Sequence, residues 1–431
     1  MSAVNIVVVG GGAGGLPLVT LLGRKLGKKN IANVTLVDKS HSHVWKPRFH
    51  EVATGAIDAD LDALDYRAHA RLNHYQFVPG ELTGVNPTQK TITLAPLLDN
   101  EGNEVLPERN LPYDYLVVAI GSQCNDFNTP GVKENAFFLD SRQQAERFRE
   151  RFINACMQAN YQHKPLSIAI VGAGATGVEL AAEIHHAVSM LKLYGHESLD
   201  RKHLTVHLIE AAPRILPGLT ERVSKAAHLR LEKLGVKVHI NTMVEKAEPG
   251  RFLVKDAPAI EADLLVWAAG VKAPAVPGEI EGVELNRVNQ IVVEPTLQAK
   301  GQPHLFVIGD SAACTLPGME RPIPPRAQSS QQMAHHLAKQ LRAHITKRAN
   351  FQPFQYRDHG SLVSLSQYSS VGMLMGNLKG GNFFVEGWLA RMMYISLYRL
   401  HQATLYGWPR TLMLLVAGRF NRLVRPRLKL H

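Results

Sequence analysis

Ile6-Val7-Val8-Val9 runs directly into Gly10-Gly11-Gly12-Ala13-Gly14-Gly15, and Leu16 to Leu26 then repeats apolar residues at helical spacing. Four β-branched residues make a buried strand, six small residues make a turn, and a helix opens at the end of that turn. In a G-x-G-x-x-G turn of this kind Gly10 permits the tight bend, Gly12 lets backbone approach a pyrophosphate, and Gly15 lets helix and strand pack closely. The helix N-terminus adds positive charge on the side where phosphates would lie. Val34 to Val37 reads as the next strand and ends at Asp38, 23 positions beyond Gly15. A carboxylate at that place accepts hydrogen bonds from adenosine ribose hydroxyls. Gly10, Gly12, Ala13, Gly14, Gly15 and Asp38 therefore form one set of cofactor-binding candidates.

The same pattern returns 162 residues later. Ser167 to Val171 reads as a strand, Gly172-Ala173-Gly174-Ala175-Thr176-Gly177 as the turn, and Val178 to Leu191 as the helix. Leu204 to Ile209 is the following strand, ending at Glu210, with a polar loop over Gly195 to Lys202 taking up the longer gap. Gly172, Gly174, Thr176, Gly177 and Glu210 form the second set. Two copies imply two dinucleotide sites. A carboxylate at Glu210 repels a 2′-phosphate, so this site is expected to take NADH rather than NADPH, with Arg214 the one neighbour that argues the other way.

Three more strands end in small residues: Tyr115 to Gly121, Leu264 to Gly270, and Leu305 to Asp310. In open α/β sheets ligands sit beyond the carboxyl ends of the strands, which adds Ala119, Gly121, Ala269 and Gly270 to the cofactor-binding set. Asp310 suits a ribityl hydroxyl, although Gly309-Asp310 also reads as a plain turn or helix cap.

The chain has 431 residues, enough for two or three domains, and its 45% hydrophobic and 20% charged content excludes a disordered or low-complexity protein. Cys124, Cys156 and Cys314 are too few and too far apart for a disulfide framework, a redox pair or a zinc knuckle. His41-x-His43, His185-His186 and His335-His336 lack further ligands at usable spacing, so no metal is expected. Of the net charge of +11, the residues after Glu386 carry +8: seven arginines from Arg391 to Arg427, together with Lys429, and no acid. Trp388, Met392, Met393, Tyr394, Leu397, Tyr398, Trp408 and Leu412 to Val416 lie among those charges, a mixture suited to a lipid headgroup region rather than to nucleic acid. Leu412 to Gly418 is far short of the roughly 20 residues that span a bilayer, so the tail is expected to lie on a membrane. Leu389, Met392, Met393, Leu397 and Leu400 make one helical stripe, with core packing or homodimer contacts as competing uses for it.

These residues resemble the two-dinucleotide-binding flavoprotein reductases, and within them the bacterial type II NADH dehydrogenases, which are non-pumping NADH:quinone oxidoreductases. The likeness runs over essentially the whole chain. It is carried by His43-Val44-Trp45-Lys46-Pro47, Gly172 to Glu179, Trp267-Ala268-Ala269-Gly270, Ile308-Gly309-Asp310, Pro325-Arg326-Ala327-Gln328 through Gln332, and the basic amphipathic C-terminus. The resemblance implies an α/β fold with two Rossmann-like, glutathione-reductase-like domains and a C-terminal membrane-anchoring region. FAD would occupy the first motif and NADH the second, and a membrane quinone, ubiquinone or menaquinone, would be the acceptor. The expected division is an FAD domain over 1–120 and 290–350, split by an NADH domain over 121–289, with a separate membrane region over 351–431. The location implied is peripheral, on the cytoplasmic face of a bacterial inner membrane.

Pro324 and Pro325 suit a helix start, and Met333, Leu337 and Leu341 recur at intervals of four, so Gln328 and Gln332 share one helix face. Two uncharged amides one turn apart can bond a quinone carbonyl in either redox state, while from the residues alone a solvated polar face reads equally well. The resemblance implies that Gln328 and Gln332 line the quinone headgroup, that Ala327 and Lys46 lie at the flavin, and that Glu179 serves hydride-transfer geometry or proton supply. Read alone, Glu179 could merely complement a helix dipole and Lys46 could be an exposed ion pair. The competing functions are a soluble NADH-linked flavoprotein reductase of another acceptor, a sulfide:quinone-type reductase, whose separated cysteines are similar but which needs no NADH, and a flavin-binding redox sensor.

Overall fold

The strand Val4–Val9 is buried on both faces over its last four residues, and so is Leu166–Val171, as parallel strands covered by helices must be. Each is the centre of its own sheet. The computed structural model describes residues 3–99, 101–195, 203–276, 280, 282–366, 369–375, 382–424 and 428–429. The polar loop expected over Gly195 to Lys202, and Arg425 and Arg427 of the basic tail, lie wholly or largely outside these. The chain divides into two units.

The first unit comprises residues 1–45, 63–123 and 271–357. Its main sheet has five parallel strands in the order Leu305–Val307, Tyr115–Val118, Val4–Val9, Ala32–Asp38, Gln76–Pro79. The helix Gly15–Lys25 follows the first glycine turn, and Ala327–Lys347 packs against it. An antiparallel sheet of Leu82–Asn86, Thr91–Leu94 and Arg109–Pro112 belongs to the same unit.

The second unit comprises residues 46–62, 124–270 and 358–431. Its parallel sheet runs Val236–His239, Leu204–Ile209, Leu166–Val171, Leu264–Trp267, with a core of Val132, Val171, Ile209, Phe252 and Trp267 on one side. The helix Ala175–Leu193 follows the second glycine turn. Three antiparallel strands, Ser361–Leu365, Ser369–Met375 and Asn382–Glu386, lead into the helices Gly387–Tyr406 and Trp408–Val424.

These boundaries differ from the expected ones in three places. Residues 46–62 group with the second unit, because the short helix Phe49–Ala53 packs on helices Arg142–Gln162 and Ala175–Leu193. Residues 271–289 group with the first unit, beginning with Lys272, whose amide and carbonyl both bond Gln123. Residues 358–431 do not stand apart as a third domain. Ser361–Leu365 packs on helix Ala175–Leu193, and after the last helix Lys429 returns to bond Asp58 and Asp60 at 2.8 and 2.9 Å, its amide meeting the Gly55 carbonyl at 2.8 Å.

Candidate active site

The two glycine turns are built alike, each within its own unit. Gly10 has φ +102° and Gly172 φ +100°, a region costly for any residue with a Cβ. A Cβ on Gly10 would lie 2.3 Å from the Ala119 carbonyl oxygen, and one on Gly172 would lie 2.6 Å from the Ala269 backbone. A Cβ on Gly15 or Gly177 would collide with the carbonyl of the turn's first glycine, at 1.8 and 2.0 Å. Gly12 and Gly174, by contrast, face open space, with nothing within 4 Å. The helices beyond begin at Gly14 and Gly174 as N-caps with no side-chain cap and no acid in the first turn. Apart from the Leu16 amide, which bonds the Gly12 carbonyl at 3.3 Å, and Pro17, which has no N–H, their leading N–H groups are left to an anion.

Each carboxylate at the end of the second strand braces its own turn. Asp38 accepts from the Gly11 and Ser40 amides at 2.6 and 2.7 Å, and Glu210 from the Ala173 and Ala212 amides at 2.8 and 3.0 Å. Lone pairs remain on each for ribose hydroxyls. Burial raises the Asp38 carboxyl, with the two amide bonds opposing. Open space at the middle glycine, bare helix N–H groups and a fixed carboxylate together fit a dinucleotide in each unit. Thr176 is exposed at the start of its helix, where a hydroxyl can reach a phosphate.

Around the first turn, Ala119 donates to the Val9 carbonyl at 2.8 Å, and Gly121 has φ +74° with open space beside it. Asp310 accepts from the Ser122 hydroxyl at 2.7 Å, and its carbonyl accepts from Gln290 at 2.8 Å, so its side chain is held in place. The helix beginning at Ala327 packs on this Gly309–Ser311 turn, where the Gly309 amide meets the Met333 sulfur at 3.3 Å. Gln328 is half-buried in that helix's first turn. Gln332 is committed elsewhere: its amide donates to the Arg357 carbonyl at 2.8 Å and accepts from the Arg357 amide at 3.0 Å. The two glutamines share a face as expected, but the second one spends both ends of its side chain on backbone.

In the second unit, Ala269 and Gly270 follow the strand Leu264–Trp267, with Gly270 at φ +62° against Phe127 and Asn125. Lys46 groups with this unit and lies 3.5 Å from Asp140, an exposed ion pair.

Glu179 is not in the first turn of its helix, which starts at Ala175, so dipole complementation does not account for it. It is 6% exposed and sits in a buried polar cluster. Its Oε1 accepts from the Ser364 amide at 2.9 Å, its Oε2 lies 3.5 Å from His50 Nδ1, and the Tyr394 hydroxyl bonds it. Burial pushes the Glu179 carboxyl up to about 8, with Glu51 and Glu183 adding to the rise, and pushes Glu183 up to about 7. Burial holds the His50 imidazole down at about 4. Near neutrality the cluster thus contains a protonated carboxylic acid beside a neutral imidazole, the arrangement of a proton donor. Arg48 clamps Glu51 through Nε and Nη2 at 3.1 and 2.7 Å, reaches Asp62 at 3.0 Å, and lies 4.9 Å over the Tyr398 ring. His50, Glu51, Arg48 and Tyr394 were invisible to spacing arguments. The one available sign was the His50-Glu51 pair one residue beyond the Trp45-Lys46-Pro47-Arg48 segment.

The family model for the pyridine nucleotide-disulphide oxidoreductases matches residues 4–334. A type II NADH:quinone oxidoreductase of Haemophilus influenzae is 43% identical, over 99% of this chain and 100% of that protein. One from Staphylococcus saprophyticus is 30% identical over 86% of this chain and 90% of its own. The chain belongs to the type II NADH:quinone oxidoreductases. Among solved structures, NDH2 from Plasmodium falciparum in complex with NADH superposes with TM-score 0.82 at 20% identity, over 99% of each chain. The sulfide:quinone oxidoreductase of Aquifex aeolicus shares the fold, with TM-score 0.72 at 16% identity over 94% of this chain and 92% of its own. Membership in the type II family agrees with the state of the cysteines. All three are free; burial pushes the Cys124 thiol up to about 12 and Cys314 to about 11, and Cys156 rises as well. Thiols so far from ionised are weak nucleophiles.

Proposed function

We infer that this chain oxidises NADH and passes two electrons through FAD to a quinone, without pumping protons. Bound FAD supplies the chemistry that accepts a hydride and releases its electrons to the quinone. What supports the reading is the combination of full-length family membership with two complete dinucleotide cradles on one chain. In this assignment Gly10, Gly12, Ala13, Gly14, Gly15, Asp38, Ala119, Gly121, Asp310 and Ala327 hold FAD, and Lys46 lies beside it. Gly172, Gly174, Thr176, Gly177, Glu210, Ala269 and Gly270 hold NADH. Gln328 contacts the quinone headgroup, Gln332 fixes the segment ending at Arg357, and Glu179 supplies a proton.

The C-terminal helices are assigned to a lipid surface. Trp388, Leu412, Met413 and Phe420 are 75, 63, 62 and 64% exposed, and Leu389, Met392, Leu397 and Leu400 are exposed as well. The opposite side of Gly387–Tyr406 is polar and turned inward, with Arg399 bonding Gln402 at 2.6 Å and Gln402 bonding Tyr398 at 3.1 Å. No helix among the described residues is long and apolar enough to cross a membrane. Exposed apolar side chains beside Arg410 and Arg419 suit insertion into the headgroup layer of an anionic leaflet, here assigned to the cytoplasmic face of the inner membrane.

One stopped-flow experiment tests both assignments. The flavoprotein is reduced with NADH, then mixed with ubiquinone or menaquinone carried in detergent or in anionic vesicles. Rapid reoxidation is expected in both, slowed about tenfold by Gln328→Ala. Leu412→Glu with Leu415→Glu should abolish it in vesicles only. Absence of reoxidation by any quinone would overturn the function. Equal loss with both carriers would overturn the lipid assignment, and its retention by a tightly dimeric protein would assign that face to a second copy.

A further inference from the structure

We propose that His50 is a positioning residue that returns protons to Glu179 from Glu51, a relay that rests on the assignment of Glu179 as proton donor. The geometry carries it. The His50 ring is 3% exposed, bonds the Pro47 backbone, and lies between two carboxyl groups, with Nδ1 3.5 Å from Glu179 Oε2 and Nε2 3.9 Å from Glu51 Oε1. The Glu179 side chain is only 7% exposed, while that of Glu51 is 19% exposed and is the better route to water. Glu51 is itself fixed by both nitrogens of the Arg48 fork, so the far end of the array is as rigid as the near end. Helix Phe49–Ala53 presents His50 and Glu51 side by side, and packs on the helix that carries Glu179.

An imidazole is the one side chain that takes a proton on one nitrogen while giving another from the second. With Glu179 left as a carboxylate after donation, His50 gives its Nδ1 proton to Glu179 Oε2, and its Nε2, once the 3.9 Å to Glu51 Oε1 closes to hydrogen-bond distance, takes the proton that has arrived on Glu51. Glu51 ends as a carboxylate, Glu179 as the acid, and the ring neutral in its other tautomer. No charge remains on the buried ring, which matches an environment that disfavours the imidazolium. The other charged and titratable groups around the array are Arg48 beside Glu51, Glu183 and Tyr394 beside Glu179, Arg391 beside Glu183, and Arg142 and Arg149 on the helix packed against Phe49–Ala53. Arg48 and Arg391 are permanent cations and Tyr394 is held far above its ordinary range, so these three do not compete as carriers at neutral pH; Glu183, pushed up to about 7, can hold a proton there but at 5% exposure reaches water no better than Glu179 does.

The experiment uses the FAD-loaded protein without substrate. A pH jump from 9 to 6.5 reprotonates Glu179, followed by the infrared C=O stretch of the protonated carboxyl, assigned by its absence in Glu179→Gln. His50→Gln keeps a hydrogen-bonding amide of similar reach but cannot pass a proton. Its band should recover about tenfold or more slowly than in the unmodified chain, with quinone turnover falling in the same proportion relative to flavin reduction by NADH. If His50→Gln does not retain flavin, Glu51→Gln takes its place and should show the same slowing. Recovery of the band at the unmodified rate in whichever variant folds would overturn the relay. An unmodified chain with a fast band but no quinone reduction would leave the relay standing and sink the function assigned above.

Discussion

The helices behind the two glycine turns start from the same geometry and then diverge. Two residues beyond Gly15 the first carries Pro17, and six beyond it Leu21; at the same places after Gly177 the second carries Glu179 and Glu183, both buried. The first helix is 11 residues long and apolar on its packed side, the second is 19 residues long with two carboxyls pressed into the protein. A cradle needs only glycines, helix N–H groups and a carboxylate, and both have these. Burying acids costs stability and does nothing for phosphate binding, so their presence on one helix alone supports the assignment of proton chemistry to that helix.

The strongest way to break the comparison is to spoil one turn at a time. Gly10→Ala places a methyl 2.3 Å from the Ala119 carbonyl oxygen, and Gly172→Ala one 2.6 Å from the Ala269 backbone, each at a φ that disfavours alanine. If the cradles are assigned correctly, the first variant purifies without yellow colour. The second remains yellow, but its flavin is reduced by NADH at least about a hundredfold more slowly, an effect of roughly 3 kcal/mol or more. Absorbance of the purified proteins and stopped-flow reduction check both. Colour lost in both, or in neither, would contradict the division of labour.

The two cradles were legible in the sequence because every part of a cradle is local: strand, turn, helix and the next strand's terminal acid follow one another within about 40 residues. The unit boundaries were not. Residues 46–62 interrupt the first unit's sequence and join the second through packing on Arg142–Gln162 and Ala175–Leu193, with no change of composition to announce it. The surroundings of Glu179 were hidden for the same reason, since His50, Ser364 and Tyr394 come from three segments at least 129 residues away. Gln332 shows the converse limit. Helical spacing put it correctly beside Gln328, but could not reveal that the Arg357 backbone, 25 residues on, takes up its amide.

A smaller effect sharpens the contrast between the helices. An acid whose folded pKa is about 8, against an ordinary 4.5, keeps a proton in the folded chain that the unfolded chain gives up. The folded state then binds more protons across that window, so stability falls as pH rises from about 4.5 to 8, by up to ~1.4 kcal/mol per pH unit for each such group. Glu183 adds a like loss up to about 7. Glu179→Gln should remove its share, giving a protein whose denaturation midpoint changes less between pH 5.5 and 7.5 than that of the unmodified chain. The same slope in both would mean that Glu179 is ionised throughout. The first helix, with Pro17 and Leu21 at these places, has no corresponding contribution to lose.

The smallest difference lies in the second position of each turn. The Gly11 carbonyl accepts from the Tyr66 hydroxyl at 2.8 Å, whereas the Ala173 carbonyl accepts from the Leu216 amide at 2.8 Å. The phenol also explains the third consecutive glycine, because a Cβ on Gly11 would lie 2.3 Å from the Tyr66 oxygen, while the second turn accommodates the methyl of Ala173 at full burial. Tyr66 is 2% exposed, so its hydroxyl bond is made out of water, and its removal leaves a buried carbonyl one partner short. Tyr66→Phe keeps the ring and its packing and deletes only that bond. A loss of about 1 kcal/mol in the bracing of the first turn corresponds to roughly fivefold weaker retention of FAD, with the KM for NADH unchanged. Fluorescence of released flavin against steady-state kinetics would read the two separately. A change in KM for NADH with FAD retained would mean that Tyr66 braces the wrong cradle, and that the two turns do not serve separate ligands.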